Sequence, residues 1–86
     1  MTRSLIKEVS DANFDRQVLQ ALGPVLVYYW NNSCGHLSYL EQMAEDYLGR
    51  LTIVTLNVDD HCVTPARYGV HEVPTLMLFK DHRRHL

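Results

Sequence analysis

Val25-Leu26-Val27-Tyr28-Tyr29-Trp30 restricts what this chain can fold into more than any other feature. An unbroken run of apolar, β-branched and aromatic residues has no polar face to offer water, so it reads as a strand covered on both sides, the pattern of a central strand in a mostly parallel sheet. Such a strand needs paired neighbours and helices over both faces, and the rest of the chain supplies candidates. Residues 4–9 read as a short strand. Ser10-Asp11 offers an N-cap ahead of Phe14, Val18, Leu19 and Leu22, apolar positions at helical spacing that Gly23-Pro24 stops. Asn31-Asn32-Ser33 is turn chemistry, and then Leu37, Leu40, Met43, Ala44, Tyr47 and Leu48 mark one face of a helix ended by Gly49. Residues 51–58 form a third strand closed by Asp59-Asp60. Pro65 suits the first turn of a short helix that Gly69 terminates, and Pro74 precedes a fourth strand over residues 75–79. The order β-α-β-α-β-α-β predicts an α/β fold, an open sheet with helices on both faces, built as one domain over residues 1–86.

Chemistry in open α/β sheets gathers at the carboxyl ends of the strands. Cys34 lies there, between the central strand and the next helix. A thiol at the first turn of a helix meets unpaired backbone N–H groups and the positive end of the helix dipole, both of which favour thiolate. Cys34 is therefore the candidate nucleophile. His36 adds positive charge when protonated; its plainer role is a solvated first-turn histidine. Cys62 follows the third strand on the same rim of the sheet, a candidate second thiol whose plainer role is a lone structural cysteine. His61-Cys62, His71, His82 and His85 lack the paired spacing of a metal centre, so no metal is expected. Arg83-Arg84 reads as a solvated tail.

Composition narrows the partners. The formal net charge of −2 is spread over interleaved acidic and basic residues, which gives no basic face for nucleic acid. No apolar run is long enough for a signal-peptide core or a membrane span, so a cytoplasmic protein with reduced thiols is expected.

Ser10-Asp11-Ala12-Asn13-Phe14, Gly23-Pro24-Val25-Leu26-Val27, Trp30 ahead of Cys34, Leu56-Asn57-Val58-Asp59, Arg67-Tyr68-Gly69-Val70 and Val73-Pro74-Thr75 occur in that order. Together they resemble the thioredoxin family along nearly the whole chain. The resemblance implies the thioredoxin fold, a cis peptide bond before Pro74, a substrate groove lined by Trp30, Gly35, Val73 and Pro74, and exchange with protein thiols and disulfides.

The departures from the family pattern carry as much information. The family's W-C-G-P-C is here Ser33-Cys34-Gly35-His36-Leu37, so the resolving cysteine has become leucine. His36 fills the slot occupied in the C-P-H-C motif of periplasmic disulfide oxidases. Tyr28 stands where the family carries a buried aspartate. The chain runs to Lys80-Asp81-His82-Arg83-Arg84-His85-Leu86, where the family continues through a last strand and a C-terminal helix.

Leu37 cannot attack a mixed disulfide at Cys34, so release must come from another protein thiol or a small thiol such as glutathione. That logic resembles the monothiol glutaredoxins, with their C-G-F-S motif. The glutathione-binding residues with which those proteins hold an iron–sulfur cluster are not recognisable, and no cofactor is expected. The alternative is a redox-inactive thioredoxin-fold adaptor that binds a partner protein through the cis-proline groove or an exposed sheet edge. A fold lacking most of its last strand and its C-terminal helix leaves residues 75–79 as an unpaired apolar edge, which predicts a homodimer or a partner covering it.

Overall fold

The computed structural model describes residues 5–34 and 38–85. Its strands are β1 (Lys7–Glu8), β2 (Val25–Trp30), β3 (Thr52–Asn57), β4 (Thr75–Lys80) and β5 (Arg83–Arg84), joined in one sheet of order β1-β3-β2-β4-β5. β3 runs parallel to β1 and β2, whereas β4 is antiparallel to β2 and β5. The sheet is thus open and mixed, with the apolar run Val25–Trp30 at its centre. Its helices are α1 (Ser38–Asp46) and α2 (Val63–Arg67), and a π-helical turn spans Asp15–Leu19.

Alternation along the strands divides the core in two. Val25, Val27 and Tyr29 face one way and are buried with Val54, Leu56, Met77 and Phe79 under Phe14 and Val18 of the π-helical segment. Phe14 packs edge-on against Phe79 with ring centres 5.4 Å apart, and Tyr68, just after α2, meets Phe79 at 5.0 Å. α1 covers the opposite face, where its buried Leu40 and Ala44 accompany the inward Tyr28 and Ile53. Helical segments therefore lie on both faces.

Several local expectations change. The segment after Ser10 is a short irregular turn rather than a full amphipathic helix, and Leu22 is fully exposed instead of part of its apolar face. Ser10 and Asn13 cap one another: the Asn13 side-chain oxygen accepts the Ser10 N–H at 2.8 Å, and Ser10 Oγ accepts the Asn13 N–H at 3.2 Å. Asp11, expected to cap this same segment, instead reaches α2. Its carboxylate accepts the N–H groups of Val63 at 3.0 Å and Thr64 at 2.8 Å, two donors with no partner inside that helix. Burial opposes the charge, but the Thr64 hydroxyl and the two N–H groups, helped by nearby His61, hold Asp11 below its ordinary carboxylate value. In α1 the helix closes at Asp46, and Tyr47 and Leu48, expected on its buried face, are exposed. Gly49 adopts φ +84°, the left-handed conformation that ends a helix.

The largest correction is at the C-terminal end. Arg83-Arg84 is not a solvated tail but strand β5, paired as Phe79↔Arg84 and Lys80↔Arg83. Asp81 (φ 56°) and His82 (φ 70°) form the two-residue turn, both left-handed as a type I′ hairpin requires. The ring Nδ1 of His82 hydrogen-bonds the Leu19 carbonyl and so ties the hairpin to the π-helical turn. The His85 N–H extends the pairing to the Leu78 carbonyl at 2.8 Å. The expected unpaired edge is therefore partly closed, at its Phe79–Lys80 end. Among the described residues, no helix is long and apolar enough to cross a membrane.

Candidate functional site

β2 carries the chain to Trp30, and Asn32–Cys34 follows as a single 3₁₀ turn. Asn31 organises that turn. Its side-chain oxygen accepts the Ser33 N–H at 3.0 Å and the Ser33 hydroxyl at 2.6 Å, an Asx turn that fixes the bend as β2 ends. The same oxygen lies 3.9 Å from Cys34 Sγ, while the Asn31 backbone N–H points at that sulfur from 3.4 Å. The Cys34 N–H closes the turn on the Asn31 carbonyl at 3.0 Å. Cys34 is a free, half-buried thiol.

Beneath it lies Tyr28, 1% exposed. It packs against Tyr39 from α1, the two rings meeting edge to face with centres 6.3 Å apart. Burial, then Tyr39 and Cys34, push the Tyr28 phenol well above its ordinary value, so it remains a proton donor throughout the physiological range.

The register Tyr29↔Thr75 sets the start of β4 beside the end of β2. Half-buried Val73 and exposed Pro74, whose connecting peptide bond is cis, thus share the sheet rim with Trp30 and the Cys34 turn. Trp30 is half-buried, and its indole Nε1 is buried without a hydrogen-bond partner among the described residues. Cys62, exposed and free, precedes α2 after the carboxyl end of β3, on that rim as well, and its side chain makes no cap hydrogen bond. Gly35 and His36, the other two site candidates, lie outside the described residues, as does Leu37. Among the described residues no cluster of three or more histidine, cysteine or acidic side chains has the arrangement of a metal site.

Two residues of this cluster escaped the sequence analysis in their site roles. Asn31 counted only as turn chemistry, although Asn-x-Ser before a cysteine is a readable Asx-turn signal. Tyr39 lies off the apolar periodicity of α1, and no sequence signal pairs it with Tyr28. A hollow of about 440 Å³ lies between Tyr68–Glu72 and Thr75, Met77 and Arg84, and among the described residues its lining includes none of the expected groove residues.

The sequence that builds this β2-turn-α1 junction and the Val73-Pro74 corner beside it is similar to known proteins. The thioredoxin family profile matches residues 5–85. Thioredoxin of Pseudomonas aeruginosa is 49% identical over 80 residues, covering 88% of this chain and 74% of that protein. Thioredoxin of Thiocapsa roseopersicina is 43% identical, with 88% of each chain covered, and that of Rhodospirillum rubrum 41% identical, with 88% and 77% covered. Sequence pieces, sheet order and these likenesses agree, and the chain belongs to the thioredoxin family of thiol–disulfide exchange proteins.

Proposed function

We propose that the protein exchanges disulfides through Cys34 alone, as a single domain of residues 1–86 working in the cytoplasm. The observation that carries this proposal is Leu37 at the position where a resolving cysteine would be, beside a free Cys34 at the end of β2. Cys34 thiolate attacks one sulfur of a protein disulfide or of oxidised glutathione. A mixed disulfide forms, and the other sulfur leaves as thiolate. A second thiol from solution or from another protein then attacks the mixed disulfide and regenerates Cys34. Trp30, Gly35, Val73 and Pro74 line the substrate face, His36 assists as a nearby cation, and Cys62 is held as a slower second thiol. No cofactor enters either step.

Intact-protein mass spectrometry after exposure to oxidised glutathione tests the proposal. One adduct per chain, mapped to Cys34, is expected, together with no sustained reduction of insulin disulfides in the presence of thioredoxin reductase. Absence of the adduct removes the proposal, and sustained turnover would assign a resolving role to Cys62.

The second reading is a redox-inactive adaptor, or a homodimer, that uses the sheet edge. The exposure of the apolar Leu76, 46% in the middle of β4, favours it. A chain that takes no adduct and yet forms a stable complex or dimer through β4 would establish that reading instead.

A further inference from the structure

Tyr29 sets a phenol inside the larger apolar core, with 0% of the residue exposed. A buried hydroxyl needs a partner, and this one has a poor one. Among the described residues its O–H donates to the thioether sulfur of Met77, at 3.9 Å, and a thioether is a weak acceptor. The sheet register explains the pairing. Val27 lies opposite Met77 and Tyr29 opposite Thr75, so Tyr29 and Met77 are diagonal neighbours on one face of adjacent strands. Burial raises the phenol well above its ordinary value, and it stays a donor throughout the physiological range.

Met77 is 4% exposed, yet it lines the hollow of about 440 Å³ between Tyr68–Glu72, Thr75 and Arg84. A peroxide is little larger than a water molecule, whose share of liquid volume is about 30 Å³, and the hollow admits it. The sulfur is thus a nucleophile within reach of a small oxidant, and exchange at Cys34 does not use it. In an ordinary core, oxidation of methionine disrupts packing, because the new S=O is left among groups that cannot donate to it. Here the neighbour is a donor short of an acceptor. The rotatable bonds of the methionine side chain let an oxygen on this sulfur turn from the hollow toward the phenol, within ordinary O–H···O distance. Arg84, on the wall of the same hollow, also carries donors only.

We infer that Met77 is a modification site for peroxide, and that the native fold accommodates its sulfoxide because Tyr29 O–H donates to the new oxygen. A lone pair of the sulfur attacks one oxygen of hydrogen peroxide, and the S–O bond forms as the O–O bond breaks. The departing hydroxide takes the proton of the new S–OH and becomes water. The sulfur is oxidised by one electron pair, the peroxide is reduced by the same pair, and Tyr29 keeps its proton. Cys34 takes no part, so the inference stands or falls apart from disulfide exchange.

The test treats wild type, Tyr29→Phe and Met77→Leu with hydrogen peroxide after both cysteines have been alkylated, so that methionine sulfur alone reacts. Peptide mapping locates the oxygen, and urea unfolding before and after treatment gives its effect on the folding equilibrium, with Met77→Leu subtracting oxidation elsewhere. In the folded wild type Met77 should oxidise no more slowly than the half-buried Met43. The loss in folding equilibrium constant on oxidation should be about tenfold greater in Tyr29→Phe than in wild type, which is the worth of a hydrogen bond to the new oxygen. In wild type the ring Cζ resonance of Tyr29 should move on oxidation and that of Tyr28 should not. Oxidation of Met77 only where urea unfolds the chain overturns the inference, as does an equal loss in wild type and Tyr29→Phe. Should Tyr29→Phe fail to fold, the wild-type resonance decides: a shift supports the inference and an unmoved Tyr29 signal overturns it.

Discussion

The two faces of this sheet are built from the same three strands and end up in different states. On the face of Val27, Tyr29, Val54, Leu56, Met77 and Phe79, side chains from the π-helical turn and the end of α2 close over the strands, and every one of these residues is buried. On the other face, among the described residues, α1 does the covering. Tyr28 and Ile53 are buried there, but Leu26 and Leu78 are half-buried and Leu76 is exposed. One face is a finished core, and the other grades from core to surface within a strand's width. The candidate thiol belongs to the second face, where Tyr28 marks the limit of what α1 covers. Reactivity needs access and a controlled environment together, and only the half-covered face provides both.

The comparison is broken most directly by truncating one side chain on each face. Phe14 is enclosed by Phe79 and Tyr68, with ring centres 5.4 and 5.7 Å away, so Phe14→Ala leaves a hole that rigid aromatic neighbours cannot fill. It should cost about 3–5 kcal/mol, a large part of the stability of a domain this size. Leu40→Ala, at an equally buried position under α1, should cost nearer the lower end of the range for such changes, about 2–3 kcal/mol, because a partly open face can collapse toward the gap. Urea unfolding of both variants checks the order. A Leu40→Ala loss exceeding that of Phe14→Ala would mean the α1 face is the better packed.

A smaller effect is expected at the contact that holds α2 over the finished face. Asp11→Ala leaves the N–H groups of Val63 and Thr64 to water and should cost about 1 kcal/mol at pH 7. Its pH dependence sharpens the assignment. Because the folded carboxyl is held below its ordinary value, the charge contributes in full above the unfolded value of about 4 and is lost as pH falls through the folded one. The gap between wild type and Asp11→Ala should therefore narrow below about pH 4. A gap that stays constant from pH 7 down to pH 3 would show that the carboxylate's charge does not matter to the cap.

These contrasts also explain what could be read from the sequence. The central strand, the order of elements and the junction at Cys34 follow from local signals: an apolar run, turn residues, and glycines at helix ends. Leu22 and Tyr47 were misread because periodicity reports only that a face is apolar, and tertiary contacts decide whether anything lies opposite. Asp11 has cap chemistry and a cap role, but its helix is α2, far along the chain, and no spacing rule reaches that distance. β5 was missed because Arg83-Arg84 carries no strand pattern. Its pairing is dictated by the left-handed Asp81-His82 turn, a conformation aspartate and histidine adopt more readily than most residues. Within the site, the position of Cys34 at the end of β2 was legible from the turn residues that follow the apolar run, whereas the packing of Tyr39 on Tyr28 was not, because Tyr39 lies off the apolar periodicity of α1.

The smallest expected effect tests the open face itself. Leu76 lies opposite Tyr28 in the β2–β4 register and is 46% exposed, so in a dilute monomer Leu76→Lys should change stability by no more than about 0.5 kcal/mol. Lysine keeps enough stem to lie along the strand while its ammonium stays in water. What should change is behaviour with concentration. If β4 meets a second copy through this face, wild type should sediment faster and melt higher as its concentration rises, and the variant should do neither, since a charge at the centre of an apolar contact is costly to bury. A loss above about 2 kcal/mol in dilute solution would mean that Leu76 is covered within one chain, and the contrast between the two faces would then be smaller than their exposures suggest.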